Sequence, residues 1–361
     1  MSLLRVACAL HVARAILPAW QQHSQPLKGA LVLTDVHAVL TAGGAGILAY
    51  ATGEAGVLLK LAAPAAGPAN ATPWVVALDT SFPLYWYGVY TWPEDTNRTL
   101  LAGFFDGSGQ AYGVIQYTED GGSTWFNDTI LDKSAWGGGP IEFSGAEGLM
   151  PSTAGGTAWR TSTGGATAGA WVEVVPDPQN WHSGAFVWDG DGYAAIAGSS
   201  FCNSTDFGAT WRCGAAEDAS GMDGGVACSA PAPGSGACLT GGGEISPAVA
   251  GWAHVSRDGG RSWGARSLNA AFPIRTVLAV APAAGGASGT PPLLIAAGGN
   301  YFSGVGGIYA SDDLGATWAL TLDLGQEVKA CRALALPGGA GTRVFCVSAG
   351  PEGGSIVSAD V

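Results

Sequence analysis

Ser204-Thr205-Asp206-Phe207-Gly208-Ala209-Thr210-Trp211 decides the fold, because it does not stand alone. Its pattern is Ser/Thr-x-Asp-x-Gly-x-Ser/Thr-Trp. It returns as TEDGGSTW at 118–125, SRDGGRSW at 256–263 and SDDLGATW at 311–318. Four copies of an eight-residue pattern mark an array built from one repeated supersecondary unit. A weakened copy, TSTGGAT at 161–167 with Trp171 behind it, falls where a repeat is due. Its Thr163 lies 43 residues from both Asp120 and Asp206.

Working outward, each copy sits late in a unit of apolar strands separated by Gly- and Pro-rich turns. In the first unit the strands 46–50 and 57–61 are followed by an Ala/Pro/Gly loop that ends at Trp74. The tryptophans Trp74, Trp125, Trp171, Trp211, Trp263 and Trp318 then mark six units spaced 40 to 55 residues apart. A seventh begins with strands around 331–336 and 342–348 and stops inside its own copy of the pattern, at Ser358-Ala359-Asp360. Its missing strand is expected from the other end of the chain, near Trp20. Repeats of this length with four strands each predict a β-propeller. The expected form is all-β and seven-bladed, with six blades as the alternative, closed by the N-terminal strand and formed by residues 16–361 as one domain.

The conserved letters have a local job. Asp and Ser/Thr side chains accept main-chain N–H groups in tight turns, and glycine supplies a backbone that other residues resist. The pattern therefore reads as the hairpin turn between the third and fourth strands. Its Asp120, Asp206, Asp258 and Asp313, its Gly122, Gly208, Gly260 and Gly315, and its Trp125, Trp211, Trp263 and Trp318 are assigned structural roles.

The bulk composition narrows the function. The chain has 361 residues, 58 of them Gly and 14 Trp, with only 12% charged residues and a formal net charge of -13. That charge and the scatter of 15 Lys and Arg argue against a nucleic-acid partner. No apolar run approaches the roughly 20 residues of a membrane-spanning helix. Residues 1–15 are small, apolar and basic, and Ala13-Arg14-Ala15 fits a small-x-small cleavage site, so a signal or transit peptide is expected there.

The seven cysteines support that compartment once they are set on the repeats. Cys202 and Cys213 stand two residues outside either end of one turn pattern. Cys228 with Cys238, and Cys331 with Cys346, likewise flank single hairpin turns. Each pair is placed to reach disulfide distance, and Cys8 remains in the leader. Asn70, Asn97, Asn127 and Asn203 each begin an Asn-x-Ser/Thr sequon. The expected location is secreted or within a secretory lumen, with a thylakoid lumen as the alternative.

The repeated pattern resembles the Asp-box, or BNR repeat, of the sialidase-like propeller superfamily. That group includes sialidases, sortilin-type receptors, xyloglucan hydrolases and photosystem II assembly factors related to Ycf48/HCF136. The Asp-Gly-Gly forms at 120–122 and 258–260 are similar to the last of these. The resemblance implies that the boxes lie on the rim, away from the central site.

A sialidase-like site would need an Arg cluster and a Tyr–Glu pair, yet the chain has only eleven Arg, and Arg257 and Arg261 belong to a box. A two-carboxylate hydrolase would need acids facing each other across the channel. Asp79, Asp177, Asp223 and Glu327 precede inner strands. No catalytic residue, metal ligand or cofactor is assigned. The segments leading into the innermost strands supply the binding candidates Trp86, Trp136, Trp181, His182, Arg275 and Arg332. Aromatic residues at a concave mouth suit apolar or sugar-ring partners. The expected function is that of a monomeric, non-enzymatic propeller for a protein or glycan partner. An assembly factor like Ycf48/HCF136 and a glycoside hydrolase are the alternatives.

Overall fold

The computed structural model describes residues 18–23, 32–67, 71–80, 84–107, 110–131, 140–151, 157–165, 170–174, 185–187, 194–197, 201–214, 225–228, 237–244, 250–260, 262–282, 290–351 and 353–361. The expected leader, Asn70, Trp136, Trp181, His182, Asp177 and Asp223 lie outside them.

The described strands form seven four-stranded antiparallel sheets. Sheets 1 to 6 are built in chain order, each from four consecutive strands, over residues 33–79, 84–131, 142–174, 185–214, 226–270 and 274–323. Sheet 7 takes its first three strands from residues 327–360 and its fourth from Gln21–His23. Gln21 pairs with Ser358 and His23 with Ile356, so the N-terminal strand closes the ring on the last one. Trp20, directly before that strand, donates its indole N–H to Thr321 Oγ1 of sheet 6 at 3.1 Å. It therefore stands where Trp74, Trp125, Trp171, Trp211 and Trp318 stand before their own fourth strands. Asp360 does not close a box. It forms a two-pronged ion pair with buried Arg343, at 2.5 and 2.8 Å.

The first strands of neighbouring sheets lie against each other around the axis. Apolar side chains fill the wedges between sheets. One such core joins Leu33, Ile47, Leu59 and Trp74 of sheet 1 to Phe345 and Val347 of sheet 7. Another joins Tyr50 and Leu58 of sheet 1 to Trp86, Val89 and Leu101 of sheet 2. Burial of these side chains, at roughly 25 cal/mol per Å2 of apolar surface, is what holds sheet to sheet.

The box turns all connect third and fourth strands, and so share one end of the molecule. In sheet 4 the Ser204 hydroxyl donates to Asp206 Oδ1 and accepts the N–H groups of Asp206 and Gly208. Asp206 then accepts Thr210 N–H at 2.8 Å and the Thr210 hydroxyl at 2.6 Å. The aspartate bonds recur at Asp120, Asp258 and Asp313. Two consecutive residues of each turn have positive φ, as in Gly121 (71°) with Gly122 (92°) and Phe207 (53°) with Gly208 (79°). In the weakened copy Thr163 N–H still bonds Thr161 Oγ1, and the Trp171 indole donates to Gly165 O.

Two of the turns also bond a neighbouring sheet. Lys60 of sheet 1 donates to Gly121 O in the turn of sheet 2, at 3.0 Å. Arg160 of sheet 3 donates to Phe207 O in the turn of sheet 4, at 2.8 Å. Three hairpins carry disulfides: Cys202–Cys213, Cys228–Cys238 and Cys331–Cys346, with Cα separations of 4.1, 4.0 and 4.1 Å.

Candidate functional site

The end opposite the boxes is shaped by a repeated irregularity. Four innermost strands carry one extra residue near their start. In sheet 1, Leu33 pairs with Gly53 and Asp35 with Thr52, which leaves Thr34 over. The same shift leaves over Tyr87 in sheet 2, Arg275 in sheet 6 and Lys329 in sheet 7. Such bulges bend the strand and re-aim side chains. Room for them comes from glycine on the second strand. A Cβ at Gly103 would lie 2.1 Å from Tyr85 O, and one at Gly298 would lie 2.0 Å from Pro273 O.

The residue after the bulge reaches the next sheet. Asp35 Oδ2 accepts the N–H of Val89 in sheet 2 at 3.1 Å. Thr276 Oγ1 accepts the N–H of Cys331 in sheet 7 at 3.2 Å. Asp35 and Thr276 occupy the same position in their sheets, so the first role of Asp35 is to join sheets 1 and 2.

Arg275 and Lys329 help to line a pocket of about 380 Å3 at this mouth, with Val32, Glu54, Asn300, Tyr301, Phe302 and Glu327. Its walls come from sheets 6, 7 and 1, across the seam where the ring closes. Glu327, 4% exposed, accepts Arg275 Nε on one oxygen at 2.8 Å and Lys329 Nζ on the other at 2.7 Å. Glu54 is set on the opposite wall by its N–H bond to Val32 O. The turn behind it carries Ala55 at φ 59° and Gly56 at φ 72°. Burial pushes the Glu54 carboxyl up, and the charge of Lys329 opposes that shift. Tyr87 is pushed up to about 12 by burial, then by the charge of Glu54 and by Tyr85. Phe302, at the tip of the turn between second and third strands of sheet 6, is 90% exposed. Asn300 Oδ1 holds that turn by accepting the N–H groups of Phe302 and Ser303.

Deeper in the channel, Arg332 of sheet 7 lies 3.1 Å from Glu142 of sheet 3 and 3.7 Å from Asp35 of sheet 1. Burial raises the Asp35 carboxyl, against the opposing pull of Arg332 and of the Val89 and Val36 N–H groups. Burial raises Glu142 as well, with Arg332 opposing. His37 accepts Thr91 N–H at 3.2 Å and is driven down to about 3, by burial and then by Arg332.

The sequence candidates are thus divided. Arg275 is at the mouth. Arg332 is not at the rim; its position midway along the strand Glu327–Ala335 puts it inside the channel, between two acids. Trp86 is not available to a ligand either. It is fully buried between sheets 1 and 2, because it precedes the bulge and turns into the wedge. Asp79 ends the outermost strand of sheet 1. Asn97 is exposed and Asn203 is half-buried. Glu54, Phe302, Lys329, Asp35, His37 and Glu142 were not foreseen. The signal that could have found Glu54 is its place in Gly53-Glu54-Ala55-Gly56, a charged residue held between glycines in a turn.

No family profile and no curated protein matches the chain. Solved structures do. A structure described as YCF48 bound to D1 peptide aligns over 95% of this chain and 97% of its own, with a TM-score of 0.58 and 15% identity. A structure of an ancestral GH74 enzyme aligns over 90% of this chain at a TM-score of 0.62 and 12% identity. The match covers 44% of that enzyme. A chain of the mitotic checkpoint complex aligns over 100% and 99%, with a TM-score of 0.58 and 10% identity. The fold is a β-propeller. At these identities the likeness speaks to the fold alone. Among the described residues, no helix is long and apolar enough to cross a membrane.

Proposed function

We propose that this protein is a non-enzymatic Asp-box propeller that binds an extended segment of a partner protein at the channel mouth. The observation that carries this reading is the mouth itself. Bulges at one repeated position aim Arg275 and Lys329 into a pocket, and a rigid turn presents Phe302 beside it. Exposed aromatic side chains next to a concave, partly charged surface are what protein interfaces favour as anchors. The engagement of both Glu327 oxygens by cations supports binding over glycoside hydrolysis, since that carboxylate is spent in ion pairs. Three hairpin disulfides fit an extracellular or lumenal compartment. With the basic leader and the sequon at exposed Asn97, they support passage through the secretory pathway. The likeness in fold to the peptide-bound YCF48 supports a peptide ligand, and a role in a thylakoid lumen is the second form of the same reading.

The test is site-specific photo-crosslinking in the source cell, with the crosslinking residue placed at Phe302 or at exposed Thr205 on the box face. A partner captured from position 302 and not from 205 is the expected result. Capture from 205 alone would move the interface to the other end and end this reading.

A further inference from the structure

The mouth pocket holds four charged side chains that are unequally satisfied. Arg275 and Lys329 share Glu327, which accepts one bond from each. Glu54 faces the same space without an ion pair at contact distance among the described residues, and its half-buried carboxylate has lost part of its water. A partly desolvated carboxylate without a contact partner favours an incoming cation. Its position is fixed: the N–H of Glu54 is bonded to Val32 O, and a Cβ on neighbouring Gly56 would fall 1.9 Å from Thr80 Oγ1. The turn is therefore packed against its own sheet, with the Glu54 side chain on the pocket wall.

The remaining walls suit a long aliphatic stem. Tyr301 and Phe302 stand edge to face with centroids 5.5 Å apart, and Val32 lies opposite at the start of sheet 1. Lysine and arginine bury their methylene stems on such surfaces while the charged head finds a counter-ion. Aromatic faces add cation–π attraction. At longer range the net charge of -13 draws basic segments and repels acidic ones.

We propose that the mouth pocket takes a lysine or arginine side chain from an extended segment of the partner protein, with the Glu54 carboxylate as its counter-ion and Phe302 against its stem. The proposal rests on the mouth being the binding site and adds the chemistry of what enters it. Arg275 and Lys329 do not repel the guest as isolated charges, because Glu327 offsets them at 2.8 and 2.7 Å. They limit the pocket to one cationic head.

The experiment uses the full-length protein and three fluorescein-labelled twelve-residue peptides. All share a Gly/Phe framework and differ at one central residue, which is Lys, Gln or Glu. Fluorescence anisotropy is read at low and at moderate salt. The Lys peptide is expected to bind about tenfold more tightly than the Gln peptide, which corresponds to about 1.4 kcal/mol, and the preference should shrink with salt. Glu54→Gln should remove the Lys preference and leave the Gln peptide unchanged, while Phe302→Ala should weaken all three. Thermal melting of both variants at the wild-type temperature confirms that each is folded. Equal affinity for the Lys and Gln peptides, a preference for Glu, or a Lys preference that survives Glu54→Gln overturns the proposal. So does the absence of binding by all three peptides at millimolar concentration. A preference for Glu at a mouth that still crosslinks to a partner would leave the binding reading standing and remove only this account of its chemistry.

Discussion

The two ends of this propeller use acidic side chains in opposite ways. At the box end, Asp120 and Asp206 are surrounded by donors. The Thr124 hydroxyl and N–H hold Asp120 down at about 2, and the Thr210 hydroxyl and N–H do the same for Asp206. In the channel and at the mouth, burial raises Asp35, Glu142 and Glu54, and the cations near them only oppose the shift. The first arrangement is repeated and local, with both oxygens of each box aspartate hydrogen-bonded. The second occurs once, is assembled from distant sheets, and leaves polar atoms short of partners: Asp35 Oδ1, Arg332 Nε and Arg332 Nη2 are buried without a hydrogen bond.

The comparison breaks most readily at Arg332. Removing it leaves buried Asp35 and neighbouring Glu142 without their cation, a change that typically costs about 3 kcal/mol or more. Arg332→Ala should lower the unfolding free energy in urea by about that amount. Adding Asp35→Asn should return more than about 1 kcal/mol, since an amide keeps the bond to Val89 and removes the charge. A fully additive double variant would show that the charges are not coupled.

Titration sharpens the contrast by sign. His37 and His23 are depressed to about 3 and about 4, the second by burial and then by Arg343. A depressed histidine contributes stability that is present above its ordinary 6.5 and is lost as pH falls from there towards the folded value. Wild type should therefore weaken between pH 7 and pH 5 in urea unfolding, and His37→Asn with His23→Asn should flatten that slope. Asp35 and Glu142, being raised, act in the reverse sense: their cost is relieved as pH falls. The box aspartates stay silent until pH drops below about 4 and lose their contribution as it nears 2. A pH 7 to 5 slope identical in wild type and in the double histidine variant would contradict the histidine assignment.

Single boxes should matter least. Asp206→Ala removes bonds to Thr210 from one exposed turn and should lower Tm by about 2 °C or less, with no change in crosslinking from Phe302. A larger loss would mean that each turn holds the ring rather than its own hairpin. Leu314→Gly should shift stability by less than about 1 kcal/mol, because relief of the positive φ of 57° offsets the entropy of glycine.

What could be foreseen follows the same division. The box turns were legible because four to six side-chain hydrogen bonds within eight residues demand fixed letters at fixed spacing, and the array repeats them. The disulfides were legible because cysteines either side of one turn face each other in any hairpin. The channel was not. Asp35, Glu142 and Arg332 come from three sheets and up to 297 residues apart, with no local rule linking them. Trp86 was misplaced because a bulge between Trp86 and Gly88 decides which neighbour faces the axis, and one extra residue reverses the alternation. The glycine that permits the bulge, Gly103, stands on another strand. Glu54 was hidden for a different reason: it lies in a turn between second and third strands, where the repeat imposes no pattern.

The strand Gln21–His23 gives the molecule a history as well as a shape. His23 Nε2 meets Ser358 Oγ at 2.8 Å across 335 residues of chain. On a ribosome working at roughly 5–20 residues per second, the N-terminal strand emerges on the order of tens of seconds before its partner exists. Through that interval both sheet 7 and the edge it will cover are unmade, so the ring is an open arc with two unpaired ends. Shielding of those ends would govern how much of the newly made chain closes on itself instead of pairing with a neighbour.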